Sequence, residues 1–367
     1  MPATVTFFNN KLEESEPLEL SFQTEPSATV AFFDNLKVNS YWGGFSMIYT
    51  SPEMVSGMAH VFYIGTNPLT QQPDTILVMS TPILEGGDTL NFVLKQVKES
   101  NTVVVRTEDY RGYRVKQQIF DGLPALYMDT LSSNEFDFRF TGEIIDKEEY
   151  ALGKQYLFDG DKNGKVYRRF VNSGVQYKYG TFVAGPNAFG ERFIVDLRKE
   201  RIPAAVRLYA FLKYSTIWLT RDLHPNAPGF LVDMWDESYR SRLPCKVKLY
   251  GTNDNPETVN LASCVLLNDF SESPLDSDFQ NVWSFRTDDL FSLSKVPSMQ
   301  AATEAEIDAA EPVYMEMLCN YSGQGYRYLI FVVEDTFDGN KDFGLSTAIN
   351  AEQYITFNEL EICVKKD

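Results

Sequence analysis

The stretch QYLFDGDKNGKVYRRF, residues 155–170, decides how the chain is read. Asp159, Asp161, Asn163 and Gly164 fall at the first, third, fifth and sixth positions of the D-x-[DN]-x-[DN]-G pattern of a calcium loop. An EF-hand also needs a bidentate carboxylate at loop position twelve and a helix on each side. Position twelve is Phe170, and the flanks KQYLF and KVYRRF are aromatic and β-prone. The EF-hand reading fails on both counts. A calcium site of another kind and a metal-free polar turn in a β protein remain.

Outward from this turn, the pattern is strand-like nearly throughout. ATVTFFNN, LELSFQT, ATVAFFDNL, HVFYIGT, DTILVMSTPIL, TLNFVLKQV, NTVVVRTEDY, YRVKQQIF and FDFRFTGEI are short and rich in β-branched and aromatic residues. Gly, Pro, Asn or Asp bounds each one, at the spacing expected of a β-sandwich or barrel. The similar pieces VTFFNN and VAFFDN are read as two like strands, since a solenoid needs at least three repeats. A charged stretch, TGEIIDKEEYALGKQY, separates two strand-like blocks and has room for a short helical turn. The expected fold is all-β, with two β-sandwich domains over 1–143 and 146–367. The second is large for one sandwich and must carry insertions. One spans 219–244. Another spans 271–312 and holds the convincing helix signal, Thr303 as N-cap and Glu306 three residues later.

Composition excludes several classes. The chain has 367 residues, 27 Phe, 20 Tyr and a net charge of −18, which argues against disorder, nucleic acid and anionic membrane surfaces. No apolar run reaches the length of a membrane span. The first residues have neither the basic region nor the apolar core of a signal peptide, so a leader is either absent or lies outside this sequence. Cys245, Cys264, Cys319 and Cys363 are widely spaced and read as buried free thiols, with disulfides open to an exported protein. His60 and His224 are the only histidines, which disfavours zinc and leaves little for general-base or triad chemistry. No hydrolase, zinc-protease, P-loop or dinucleotide motif occurs. No catalytic residue is expected, and the acidic runs read as solvated faces.

The succession YLFDGDKNGK, ERFIVDLRKE (191–200), CKVKLYGTND (245–254), YRYLIFVVEDTF (326–337) and ITFNELEI (355–362) resembles the galactose-binding-like, or discoidin, β-sandwiches. In that family a DGD turn precedes a strand ending in DLG, and a closing ELE strand follows. SMQAATEAEIDAAEP (298–312) and its continuation look like the terminal domain of gut-bacterial surface lipoproteins encoded with glycan-uptake systems. The resemblance covers about 150–367 and implies a jelly roll with long insertions; residues 1–143 resemble no identifiable family. Two departures stand out. Tyr167 and Phe170 are the nearest substitutes for a missing aromatic after the DGD, and Arg198 stands where Gly is typical.

The resemblance implies a structural Ca²⁺ held by Asp159, Asp161 and Asn163 with Glu359 of the closing strand, six to eight hard oxygens being the need. The plainer reading leaves Asp159 capping its own turn and Glu359 as a solvated strand residue. Sugars need aromatic faces and planar polar groups. The 219–244 insertion concentrates both, in Arg221, His224, Asn226, Trp235, Tyr239 and Arg240. The alternative there is that Trp235 and Tyr239 pin the insertion onto the sandwich. Trp42, in SYWGGF, is a second exposed-aromatic candidate. The expected function is non-catalytic glycan binding at a cell surface or outside the cell, for a bacterial uptake system. The alternative is an adhesion or virion-type protein that makes protein–protein contacts without sugar.

Overall fold

The computed structural model describes residues 2–21, 28–51, 57–94, 99–175, 177–212, 239–272, 282–286, 304–337 and 352–367. Contacts divide the chain into two units, Met1–Tyr127 and Met128–Asp367.

In the first unit, β1 (Pro2–Val5) and β2 (Leu18–Ser21) form an antiparallel ribbon. β3 (Lys37–Tyr41), β4 (Gly44–Tyr49), β5 (Gly57–Thr66), β6 (Pro73–Pro82), β7 (Asp88–Val93), β8 (Ser100–Asp109) and β9 (Arg114–Pro124) follow. They build two antiparallel sheets, ordered β3-β4-β7 and β6-β5-β8-β9. Alternate side chains of both sheets meet in one core. Phe45, Met47 and Phe92 come from the first sheet, and Ala59, Val61, Val103 and Val105 from the second. This is a β-sandwich. Two local expectations are corrected here. ATVAFFDNL is not a strand: Ala28–Asp34 is a 3-10 helix. Phe32 and Phe33 are adjacent and both buried, and both belong to the one core cluster of this unit. Trp42, read as exposed, is 2% exposed. Its backbone bridges Leu126, and its buried ring offers no exposed stacking face.

The second unit contains β10 (Met128–Thr130), β11 (Asp137–Phe140), β12 (Phe182–Ala184), β13 (Arg192–Arg201), β14 (Pro203–Ala210), β15 (Pro244–Thr252), β16 (Val265–Ser271), β17 (Val313–Leu318), β18 (Tyr326–Thr336), β19 (Ile355–Phe357) and β20 (Glu359–Lys365). One sheet has the order β11-β13-β18-β15-β16, the other β10-β20-β14-β17; β12 pairs β19. All the pairings are antiparallel. The period-2 pattern explains the layers. Phe193, Val195 and Leu197 of β13 and Leu329, Phe331 and Val333 of β18 point inward, against Val206 and Leu208 of β14 and Leu360 and Ile362 of β20. At the centre, Phe193 stacks on Phe331 with centroids 4.6 Å apart, and Phe357 lies 5.8 Å from Phe193. β18 is the middle strand, and Leu329 to Val333 are buried on both faces, as the run YLIFVV leads one to expect. The fold is all-β, built of sandwiches.

The division at Tyr127/Met128 lies upstream of the sequence boundary at 143–146 because β10 and β11 are strands of the second unit. Met128 pairs with Lys365, and Phe138 with Val195. The charged stretch that suggested the boundary carries two 3-10 helices, Glu148–Tyr150 and Lys154–Leu157, inside that unit. All four cysteines are free; Cys245, Cys319 and Cys363 are buried and Cys264 half-buried. No helix among the described residues is long and apolar enough to cross a membrane.

Candidate functional site

Strand directions sort the connections of the second unit by end. The tight β13–β14 turn and the connections 253–264 and 319–325 leave one end, where β10 also meets the last residues of β20. The connections 141–191, 211–243, 272–312 and 337–354 all leave the other. The DGD turn lies at this second end, against the start of β20.

That contact is direct. The Gly160 N–H donates to Glu359 Oε2 at 3.1 Å, across 199 residues of chain. Asp159 Oδ1 accepts the Asp161 N–H at 2.8 Å. Burial, then the neighbouring Asp159 carboxylate, pushes Glu359 up to about 8, and burial raises Asp159 too. With Glu359 buried beside a second carboxyl group, ionising both at once is disfavoured.

Asp161 does different work. Its Oδ1 accepts from the N–H groups of Asn163, Gly164 and Lys165 at 3.3, 3.0 and 2.9 Å, and its Oδ2 from Val166 at 2.7 Å. These are the free donors at the start of α1 (Lys165–Asn172), so Asp161 caps a helix. The helix corrects the reading of KVYRRF as β-prone. Propensity is overridden by this cap and by a column of rings that seats the helix. Tyr167 stacks between Tyr179 and Phe211 at 5.8 and 5.7 Å, and Phe211 stacks on Tyr239 at 4.4 Å. Gly164 is required at the junction. Its φ is +83°, and a Cβ there would come within 2.7 Å of the Phe211 ring.

Asn163 is buried. Its Nδ2 donates to the carbonyls of Ile307 and Ala310 at 2.9 and 3.0 Å, tying the turn to α3 (Glu304–Asp308; α2 is Trp283–Arg286). Its Oδ1 has no hydrogen-bond partner. Asn358 was not singled out by sequence, although it adjoins Glu359. Its Nδ2 donates to the Asp161 carbonyl, and its Oδ1 is likewise buried and unpartnered. The buried Glu359 carboxyl, the exposed Asp159 carboxyl and two idle amide oxygens are hard oxygen donors of the kind calcium takes, although the described residues hold no cluster of three or more His, Cys, Asp or Glu side chains placed for a metal. Asp161 does not join them, because four backbone donors already engage its oxygens. A cavity of about 420 Å³ opens beside the turn, bounded by Asp159, Lys162, Lys165, Arg169 and Asp308.

Of the sugar-site residues, Arg221, His224, Asn226 and Trp235 lie outside the described residues. Arg240 falls in a 3-10 helix, Tyr239–Arg242. Tyr239 is 4% exposed; the Phe211 N–H donates to its hydroxyl at 3.4 Å, and burial raises its pKa. It serves as a ring of the column, stacked on Phe211.

No family model and no curated relative matches the chain. Among solved structures it is similar to a SusE-like protein at 14% identity, covering 93% of this chain and 98% of that one, with a TM-score of 0.42. It is similar to a fucolectin from striped bass serum at 11% identity over 88% of this chain and 82% of that one, TM-score 0.32. A family 32 carbohydrate-binding module from Clostridium perfringens, solved in complex with galactose, is 8% identical over 64% of this chain and 98% of the module, TM-score 0.28. The second unit, residues 128–367, is an antiparallel β-sandwich whose DGD turn is seated on its closing strand.

Proposed function

We propose that the protein binds carbohydrate without cleaving it, and captures glycans at a bacterial cell surface or in the extracellular space for an uptake system. The observation that carries this reading is the asymmetry of the second sandwich, whose long connections all leave one end. One of them is the 219–244 insertion, with its aromatic rings and planar polar groups. Sugar C–H edges pack on such rings, while Arg, Asn and carboxylates take up vicinal hydroxyls. The inference from fold to ligand is one of analogy, since function resides in the site rather than in the fold. A glycan array with the wild type and Trp235→Ala tests it. Binding to at least one glycan, weakened in the variant, is the expected result. A blank array defeats the sugar reading; binding unchanged by Trp235→Ala moves the site elsewhere.

Calcium belongs to the same proposal as a structural ion. Asp159 and Glu359 would hold it, with Asn163 and Asn358 as amide ligands, and it would neutralise the paired carboxyl groups and fix the turn on β20. A cation that binds only the folded state raises stability by about 2.7 kcal/mol at a hundred times its Kd. The melting temperature is expected to rise in calcium and fall with chelator, and Glu359→Gln to abolish the difference. Identical melting in calcium and chelator would remove the ion from the account.

A further inference from the structure

We propose that the opposite end of the second sandwich carries a separate site for an acidic sugar, held through its carboxylate. The proposal rests on the carbohydrate reading for the class of its ligand, but on different residues. A cavity of about 310 Å³ lies between the β13–β14 turn, the end of β20 and Gly325. That volume is at the lower edge of the ~300–1,000 Å³ typical of small-molecule sites. β20, seven residues long, separates it from the Asp159–Glu359 contact by roughly 20 Å at the rise of a β-strand.

Its chemistry is unusual for this chain. The net charge is −18, yet Lys199, Arg201 and Lys365 line the cavity. None of the three is neutralised well. Lys199 has no ion-pair or hydrogen-bond partner among the described residues. The Lys365 ammonium donates only to the Lys366 carbonyl, at 3.1 Å. Arg201 reaches Glu135 through Nη2 at a long 3.4 Å, and the Glu135 carboxylate is already held by the Ser132 N–H and hydroxyl at 3.0 and 2.9 Å. The Arg201 Nε–H is buried and has no acceptor at all. A guanidinium with donors left unmet is costly, and a carboxylate accepting from it offsets part of that cost.

Glu200 and Asp367 complete the polar lining. They are acceptors, so they suit the hydroxyl groups of a sugar and oppose a bare anion. Cations for the carboxylate and acceptors for the hydroxyls, around a cavity of this size, describe a uronic-acid-like ligand. Gly325 forms part of the wall with no side chain of its own, and a Cβ there would meet the Glu200 Cβ at 3.4 Å.

Saturation-transfer NMR with methyl β-glucuronide and methyl β-glucoside compares two sugars that differ only in the carboxylate. The wild type is expected to bind the glucuronide at least tenfold more tightly. Arg201→Gln and Lys365→Gln, on different strands, are each expected to weaken glucuronide binding tenfold or more while the melting curve stays two-state. Trp235→Ala is expected to leave it unchanged. Glucuronide binding that is absent, or unaltered in both Gln variants, overturns the proposal. Acetate binding as tightly as the glucuronide overturns the sugar assignment. If the array shows neutral glycans held through Trp235 while the glucuronide fails here, only this second site falls. A blank array with no glucuronide binding removes both readings.

Discussion

Glu359 shows how one side chain changes character with its setting. In sequence it is one acid among 51 acidic residues. In the fold it is buried beside the Asp159 carboxyl, and its own carboxyl is held up to about 8. The folded protein therefore binds this proton more tightly than the unfolded chain does. The stabilising share is complete below the ordinary carboxylate range and is lost as pH rises through about 8. In the absence of divalent cations, the melting temperature should decline between about pH 5 and pH 8, where the unfolded carboxyl has ionised and the folded one has not. Glu359→Gln, which keeps a neutral polar group in place, should remove most of that decline. A pH profile identical in the two proteins would show that the carboxyl pair does not titrate together. Arg198 is the second instructive residue. It sits at φ +62°, where the sequence pattern leads one to expect Gly, and its guanidinium grips Asp137 through two hydrogen bonds of 3.1 and 3.0 Å. The departure that was visible in the sequence thus has a physical account: a left-handed backbone is held in place by a forked ion pair to β11.

At the scale of elements, strands were far more legible than helices. Alternation in RFIVDL and the apolar run YLIFVV carry their own layer assignment, because a strand's period of two leaves little choice of inward face. Helix α1 was not legible, since KVYRRF has strand-like composition and its helix depends on an acceptor four residues earlier and on rings from 179, 211 and 239. Ala28–Asp34 was misread for a related reason: adjacent Phe residues look β-prone until the core that receives both is known. Asp161 is where this can be tested. Asp161→Ala removes the acceptor of four backbone donors and should destabilise the second unit by about 2 kcal/mol, the upper range for a helix cap, with Asp161→Asn intermediate. Chemical denaturation of the three proteins measures it, and an Ala variant as stable as the wild type would mean that α1 is held by its aromatic column alone. The candidate metal residues were legible as a motif, but their division of labour was not. Only coordinates show that Asp161 is occupied by backbone donors while Asn358 offers an idle oxygen.

For the whole molecule, the decisive fact is where one unit stops and the next begins. Sequence placed that point in a charged stretch, on the ordinary ground that linkers are polar. The short strands upstream of it, β10 and β11, carry too few residues to announce which sheet they join. A chain beginning at Met128 should fold and melt cooperatively by itself, having all eleven strands found among the described residues of that unit. A chain beginning at residue 146 should not, because it exposes the edges of β13 and β20 and removes Phe138, which packs 6.4 Å from Phe193. Circular dichroism and melting of the two distinguish the boundaries, and equal stability would restore the later one. The antiparallel pairing of Met128 with Lys365 has a further consequence. The first and last strands of this sandwich are neighbours in one sheet. A unit whose two ends lie side by side tolerates being spliced into a host loop, or having its ends joined and a new opening cut at a distant bend.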